Sequence, residues 1–228
     1  MENLTQVSFG RRQMLAGLVA GGAATALSGC MSLPGFGLNE AIKRILTLAS
    51  TNAFDTLLQD DGFWNSAVAR VGLPSAFSGG GGAIGALLAT GPVRSQLQKT
   101  INNIAEDGAE RAAPLVADAI RNMSIMDAAA IVNGGGSAAT SYLRGQMGTA
   151  LISAMVPALG DAMRVANNPL LGQALGALTG VNIDGVAQSL AGDVDNAIWA
   201  QIGASETSIR ANPQATNDPI IIGVFGPR

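Results

Sequence analysis

The stretch LNEAIKRILTLASTNAFDTLLQDDG, residues 38–62, decides the fold class of this chain. Its apolar residues fall at Leu38, Ile42, Ile45, Leu46, Ala49, Ala53 and Leu57, the three-and-four spacing that lines one face of an α-helix. Gly62 stands where a C-terminal cap belongs. An amphipathic helix of this length must bury its stripe against other helices or a sheet, so the rest of the chain is read for partners.

Helical partners follow in order. Pro92 can open a helix through about Ala112, with Val93, Leu97, Ile101, Ile104 and Gly108 on one side and Asn102, Asn103, Glu106 and Asp107 opposite. Pro114 suits the first turn of a third helix ending near Met123, and Ser124 with Asp127 resembles a capping box for a short helix stopping at Asn133-Gly134. Ser137 to Val156 repeats the helical spacing through Ala139, Tyr142, Leu143, Met147, Ala150, Leu151 and Ala154, with Pro157 expected to end or kink it. Further helices are expected to about Ala166, from Leu170 to Leu178, and from a cap at Asp184 through Ile202. Pro219 to Phe225 is apolar enough to dock on the core as a strand or a helical turn. Residues 72–92, with the Gly79 to Gly82 tract, read as a loop around a short helix at most. No stretch alternates with period two for long enough to make a sheet, so the expected class is all-α, a single multi-helix bundle.

The first thirty residues follow another logic. Arg11 and Arg12 end a polar segment, and an apolar run from Met14 to Leu27 follows, the layout of an export signal. As a helix that run would span roughly 21 Å, short of the ~30 Å of a bilayer core, which favours a cleaved signal over a permanent anchor. Leu27-Ser28-Gly29-Cys30 is similar to a bacterial lipobox, whose cysteine receives lipid and becomes the new N-terminus. Phe9-Gly10-Arg11-Arg12-Gln13-Met14-Leu15 resembles a twin-arginine signal, with general secretion as the alternative. The expected organisation is therefore a signal peptide over residues 1–29, a tether over 30–37 and a helical domain over 38–226. The expected location is the cell envelope, with the membrane reached through lipid at Cys30, and Met31 after the cysteine favours the outer membrane.

Composition narrows the chemistry. The 228 residues carry 16 acidic and 13 basic side chains, a net charge of −3, and Lys43 and Lys99 are the two lysines, so no basic stripe exists to neutralise a nucleic acid. The chain has no histidine and one cysteine, which removes a Ser-His-Asp triad, a Cys-His pair and ordinary zinc sites together. No cofactor and no metal are expected.

Several stretches resemble the bacterial envelope family catalogued as domain of unknown function 4197. Asp61-Gly62-Phe63, Asn65 and Pro74 resemble its early loop, and Ala112-Ala113-Pro114, Asp118-Ala119-Ile120, Met123 and Asp127-Ala128 its middle helices. The most specific piece runs from Gly134, Gly135, Gly136 and Ser137 through Ala138, Ala139, Thr140 and Ser141 to Tyr142. Pro157, the Ile209-Arg210-Ala211-Asn212-Pro213 run and Val224-Phe225-Gly226 complete the likeness. Ser141 stands where the family usually shows an acid and Leu143 where it shows Phe, and its acidic approach to the Ile-Arg run is thinned to Glu206. No activity is established for that family, so the resemblance implies an exported helical domain and carries over no catalytic residue.

Four groups remain as candidate sites. Gly80, Gly82 and Gly85, with Glu106 about twenty residues on, copy a dinucleotide fingerprint in form, but no strand precedes them and a plain loop is expected. Gly134-Gly135-Gly136-Ser137 ahead of a helix can present free N–H groups to an anion, although a junction of two helix caps is the simpler expectation. Asp60-Asp61-Gly62 and Asp193-Val194-Asp195 offer paired carboxylates without the spacing of a calcium loop. Arg144 and Arg210 are expected as buried ion-pair partners, with Asp118 or Asp127 as counter-charges. Phe63, Trp64 and Trp199 are expected to anchor core or loops. The function expected is a lipid-anchored binding or interaction module for an apolar ligand or an envelope protein. A carboxylate-dependent hydrolase of wall or lipid substrates and a purely structural lipoprotein are the alternatives.

Overall fold

The computed structural model describes residues 36–74, 77, 90–165, 168–176 and 183–227. The domain is the second of two units into which the chain divides, Leu33–Arg228. Among the described residues it holds nine α-helices, one 3-10 turn and no strand. The helices are α1 (Phe36–Leu57), α2 (Gly62–Asn65), α3 (Gly91–Asn122), α4 (Ala128–Val132) and α5 (Ala138–Met147). They continue as α6 (Ala150–Val165), α7 (Pro169–Gly176), α8 (Ile183–Ala211) and, after the turn Pro213–Thr216, α9 (Pro219–Phe225).

The expected stripe of α1 is the centre of the core: Ile42, Ile45, Leu46, Ala49, Ala53 and Leu57 are wholly buried. Helices α3 and α8 pack on α1, and α6 packs on both from the other side. Small side chains permit this close packing, because a Cβ at Gly108 of α3 would lie 2.9 Å from Leu159 Cδ2 of α6. Asn102, expected on the polar side of its helix, is instead fully buried. Its amide accepts from Val71 N (2.8 Å) and donates to Val71 O (2.8 Å) and Gln98 O (2.8 Å), which ties the 66–74 loop to α3.

Both prolines expected to punctuate helices lie inside them. Pro114 sits within the 32-residue α3, so the second and third helices are one. Pro157 sits within α6, and the break falls earlier, at Gly148, whose φ of 54° closes α5 in a conformation that favours glycine. Both rings lie on the solvent side. There the carbonyls they leave unbonded, those of Glu110 and Ser153, can bond water, and packing on both flanks of each proline outweighs the lost bond. The terminal segment is a helix: Asp218 caps α9 by accepting from Ile220 N (2.8 Å) and Ile221 N (3.2 Å). Arg44 of α1 bonds Asp218 at 2.8 Å and, foremost among the causes, holds its carboxyl below the usual range.

Candidate functional site

The stretch from Asp127 to Tyr142 folds as a short helix, a glycine turn and a second helix. Asp127 caps α4 by accepting from Ala130 N at 2.9 Å, so the cap is Asp127 and not Ser124. Gly134 must be glycine on steric grounds, since a Cβ there would lie 2.6 Å from Ala138 Cβ and 3.0 Å from Ala130 O. Gly136 lies under Thr207 of α8, where a Cβ would meet Thr207 Oγ1 at 2.9 Å. Gly135 has open space around it, and nothing in the structure explains its lack of a side chain. The turn thus lays the N-terminus of α5 directly on α8.

That N-terminus binds an anion supplied by the chain itself. Glu206 of α8 is fully buried and both its oxygens are engaged. Oε1 accepts from Ala139 N (3.1 Å) and Arg210 Nε (2.7 Å); Oε2 accepts from Thr140 N (2.7 Å) and Thr140 Oγ1 (2.7 Å). Arg210, 11% exposed, also donates to Val132 O (2.9 Å) and Ile131 O (3.1 Å) at the end of α4, and its guanidinium lies 4.5 Å from the Phe225 ring centroid. One carboxylate therefore caps α5, while its partner arginine closes the C-terminus of α4 and holds α9. Tyr142, farther along α5, donates to Ser124 O at 2.7 Å, and Pro213, buried, opens the 3-10 turn just beyond Arg210. Gly134, Ala138, Ala139, Thr140 and Arg210, remote in sequence, thus meet at one junction. With all four acceptor positions of Glu206 filled, this carboxylate supports architecture and has no lone pair to spare for general-base work.

Two open surface depressions meet at Thr207 above this junction. One, about 360 Å³, is lined by Ser137, Ser141, Arg144, Trp199 and Ala204 among others. The other, about 430 Å³, is lined by Asn133, Gly134, Gly136, Arg210, Val224 and Phe225 among others. A second buried acid braces the floor of the first: Asp195 accepts from Arg144 Nη2 (2.8 Å) and from Trp199 Nε1 (2.9 Å). The expected counter-charges were wrong. Arg144 pairs with Asp195 and Arg210 with Glu206, because these partners share α8 beside α5; Asp118 bonds Arg121 and Asp127 caps its own helix.

The other paired carboxylates separate. Asp61, in a left-handed conformation at φ 58°, ion-pairs with Lys99 at 2.7 Å, and Gly62 N donates to Glu106 Oε1 at 3.0 Å. Glu106 is pushed up to about 7, first by burial and then by the charges of Asp61, Asp60 and Asp107, against the lowering effect of the Gly62 N–H. Burial also raises Asp107 and Asp193. Lys99, Asn103 and Asp107 line a further open depression of about 440 Å³ between α3 and α6. Phe63 and Trp199 are core residues, and Trp64 lies half-buried under the Arg70 guanidinium, 4.7 Å from its centroid. Among the described residues no three acidic or cysteine side chains gather as metal ligands. Gly80, Gly82 and Gly85, together with Arg11, Arg12 and Cys30, lie outside the described residues.

Sequence reasoning singled out Arg210 and the glycine turn but not the acid that joins them. The available signal was the four-residue spacing of Glu206 and Arg210, the register of a helical ion pair. Asp195 carried no comparable mark beyond its place in an acidic pair. In comparison with known proteins, a family model described as protein of unknown function (DUF4197) matches residues 33–226. No curated protein and no solved structure matches the chain.

Proposed function

We propose a function from one premise: the chain belongs to the DUF4197 family, proteins of unknown function. It is an exported lipoprotein, held at a membrane by lipid on Cys30, whose helical domain is a non-catalytic module that binds another envelope component across the α5–α8 face. The observation that carries this reading is the saturated Glu206 junction. Its hydrogen bonds go wholly into fixing the positions of α4, α5, α8 and α9, and the surface so fixed is a pair of open depressions with an exposed rim at Ser141, Ala204 and Thr207. A rigid, open, largely polar face suits a macromolecular partner better than an enclosed acyl chain. Among the described residues no helix is long and apolar enough to cross a membrane.

Site-specific photo-crosslinking in the native host tests this. A photoreactive residue at Ser141 or Ala204 of the full chain should give one discrete adduct, which Thr207→Glu abolishes without lowering the thermal midpoint. Equal adducts from exposed Glu110 on α3 would refute the binding face. Intact mass of the mature protein separately tests lipid on Cys30.

One observation favours hydrolysis instead. Glu106, which accepts from Gly62 N and feels the charge of Asp61, is pushed up to about 7, as an acid catalyst requires. Hydrolysis of wall or lipid substrate by the wild type and its loss in Glu106→Gln would establish that reading.

A further inference from the structure

The two depressions over the Glu206 junction differ in charge from their surroundings. Their linings hold two arginines, Arg144 and Arg210, and no carboxylate, in a chain whose acids outnumber its bases by 16 to 13. By contrast, the α3–α6 depression sets Asp107 beside Lys99, and the trough between α1 and α9 sets Glu40 and Asp218 beside Lys43 and Arg44. The acids that balance the two arginines of the junction are buried: the Glu206 and Asp195 side chains are 0% and 4% exposed, that of Arg144 42%. A partner laid on this face therefore meets the cation and not its counter-charge.

Arg144 is also held with donors to spare. Its Nη2 donates to Asp195 Oδ2 at 2.8 Å and to Asn196 Oδ1, and Asp195 is fixed in turn by Trp199 Nε1 at 2.9 Å. Those bonds use Nη2 alone, so among the described residues the N–H groups at Nε and Nη1 have no partner. Ser137, Ser141 and Arg144 form one stripe of α5, at the spacing of successive turns. Ser137 stands at the N-cap, whose hydroxyl would ordinarily accept from the third residue of the helix, but Thr140 N is taken by Glu206 Oε2 at 2.7 Å. Its hydroxyl, like that of Ser141, has no partner among the described residues, and both line the depression with Arg144. On the other wall α8 contributes Ala200, Gly203 and Ala204, small enough to admit a backbone. That wall runs from Asn196 to Thr207, about 16 Å of helix, a length that suits a peptide segment better than a lone small anion.

We propose that the α5–α8 face recognises its partner by a carboxylate, an Asp or Glu side chain of an acidic protein segment lying along the depression, which accepts from Arg144 and from the serine hydroxyls beside it. This rests on the binding-face reading above and gives that partner its chemistry. Arg144, already ordered by Asp195 and Asn196, gives up little further side-chain freedom on binding, so the contact is pre-organised.

The test uses the full chain in its native host, with a photoreactive residue at Ala204. Ser141→Asp offers Arg144 an internal carboxylate from the preceding turn, at an exposed position; Ser141→Asn has nearly the same size and no charge. The discrete adduct should fall about tenfold or more in Ser141→Asp and stay within about twofold of the wild type in Ser141→Asn, with thermal midpoints unchanged. Asn196→Asp, on the facing helix, should weaken the adduct likewise and guards against a local effect of the first position. Mass spectrometry of the adduct should place the crosslink within a few residues of an Asp or Glu of the partner. Equal adducts in the Asp and Asn variants of Ser141, equal loss in both, or a crosslinked segment without an acid overturns the proposal. So does an adduct that lysozyme degrades, which puts wall glycan on the face instead. A wild type that gives no discrete adduct at Ala204, or as much from Glu110, fails the binding-face reading itself.

Discussion

Glu206→Ala gives the sharpest test of the junction. The substitution strips an acceptor from four donors at once: Ala139 N, Thr140 N, Thr140 Oγ1 and Arg210 Nε. It also leaves a guanidinium, 11% exposed, without its counter-charge. Removing one partner of a buried ion pair costs about 3–5 kcal/mol, and losing the cap of α5 lies largely within that figure, since the same carboxylate serves both roles. Two contacts of Arg210 survive, to Ile131 O and Val132 O, so the lower half of the range is expected, about 3–4 kcal/mol. For a domain of this length each kcal/mol moves the thermal midpoint by roughly 2–4 °C, so a fall of about 10 °C should accompany the change in urea midpoint. Glu206→Ala and Thr140→Val, measured by urea denaturation followed by circular dichroism, should differ: the threonine change removes one donor and costs about 1 kcal/mol. An alanine variant within 1 kcal/mol of the wild type would refute the claim that this carboxylate holds the helices together.

Three further outcomes follow from particular positions. Gly134→Ala should cost about 1–3 kcal/mol through its 2.6 Å approach to Ala138 Cβ, whereas Gly135→Ala, with nothing nearby, should leave the melting curve within about 0.5 kcal/mol of the wild type. Glu106, raised from 4.5 to about 7 in the folded state, binds its proton more tightly there than in the unfolded chain. Its contribution to stability is therefore complete below pH 4.5 and is lost as the pH rises through 7. The urea midpoint should fall between pH 5 and pH 8 by more in the wild type than in Glu106→Gln, and the Gly62 amide shift should titrate near 7 only in the wild type. Pro114→Ala, at an exposed position inside α3, restores a donor to Glu110 O and should raise stability by about 1 kcal/mol or more; an unchanged or lower midpoint would show that the ring contributes contacts of its own.

The helical class and the core stripe of α1 were legible in the sequence because periodicity is a local signal: Ile42, Ile45, Leu46 and Leu57 had to face one way whatever they met. The family likeness was equally readable, since it rests on short runs such as Gly134 to Tyr142, and membership is now shown over residues 33–226. Helix ends were less legible. Pro114 and Pro157 read locally as breaks, and only the packing of α3 and α6 along their whole lengths, with each ring turned to water, carried the helices through. The junction itself was legible only in part. The four-residue spacing marked Glu206 and Arg210 as a helical pair, but that Glu206 also caps α5, and that Asp195 serves Arg144, depends on which face of α8 meets the N-terminus of α5. Spacing along the chain determined which residues share a helix face, because that is fixed by 3.6 residues per turn. Which faces meet was decided by the tertiary structure alone, where the three-glycine turn and the burial of two acids select one packing among the many that the same stripes allow.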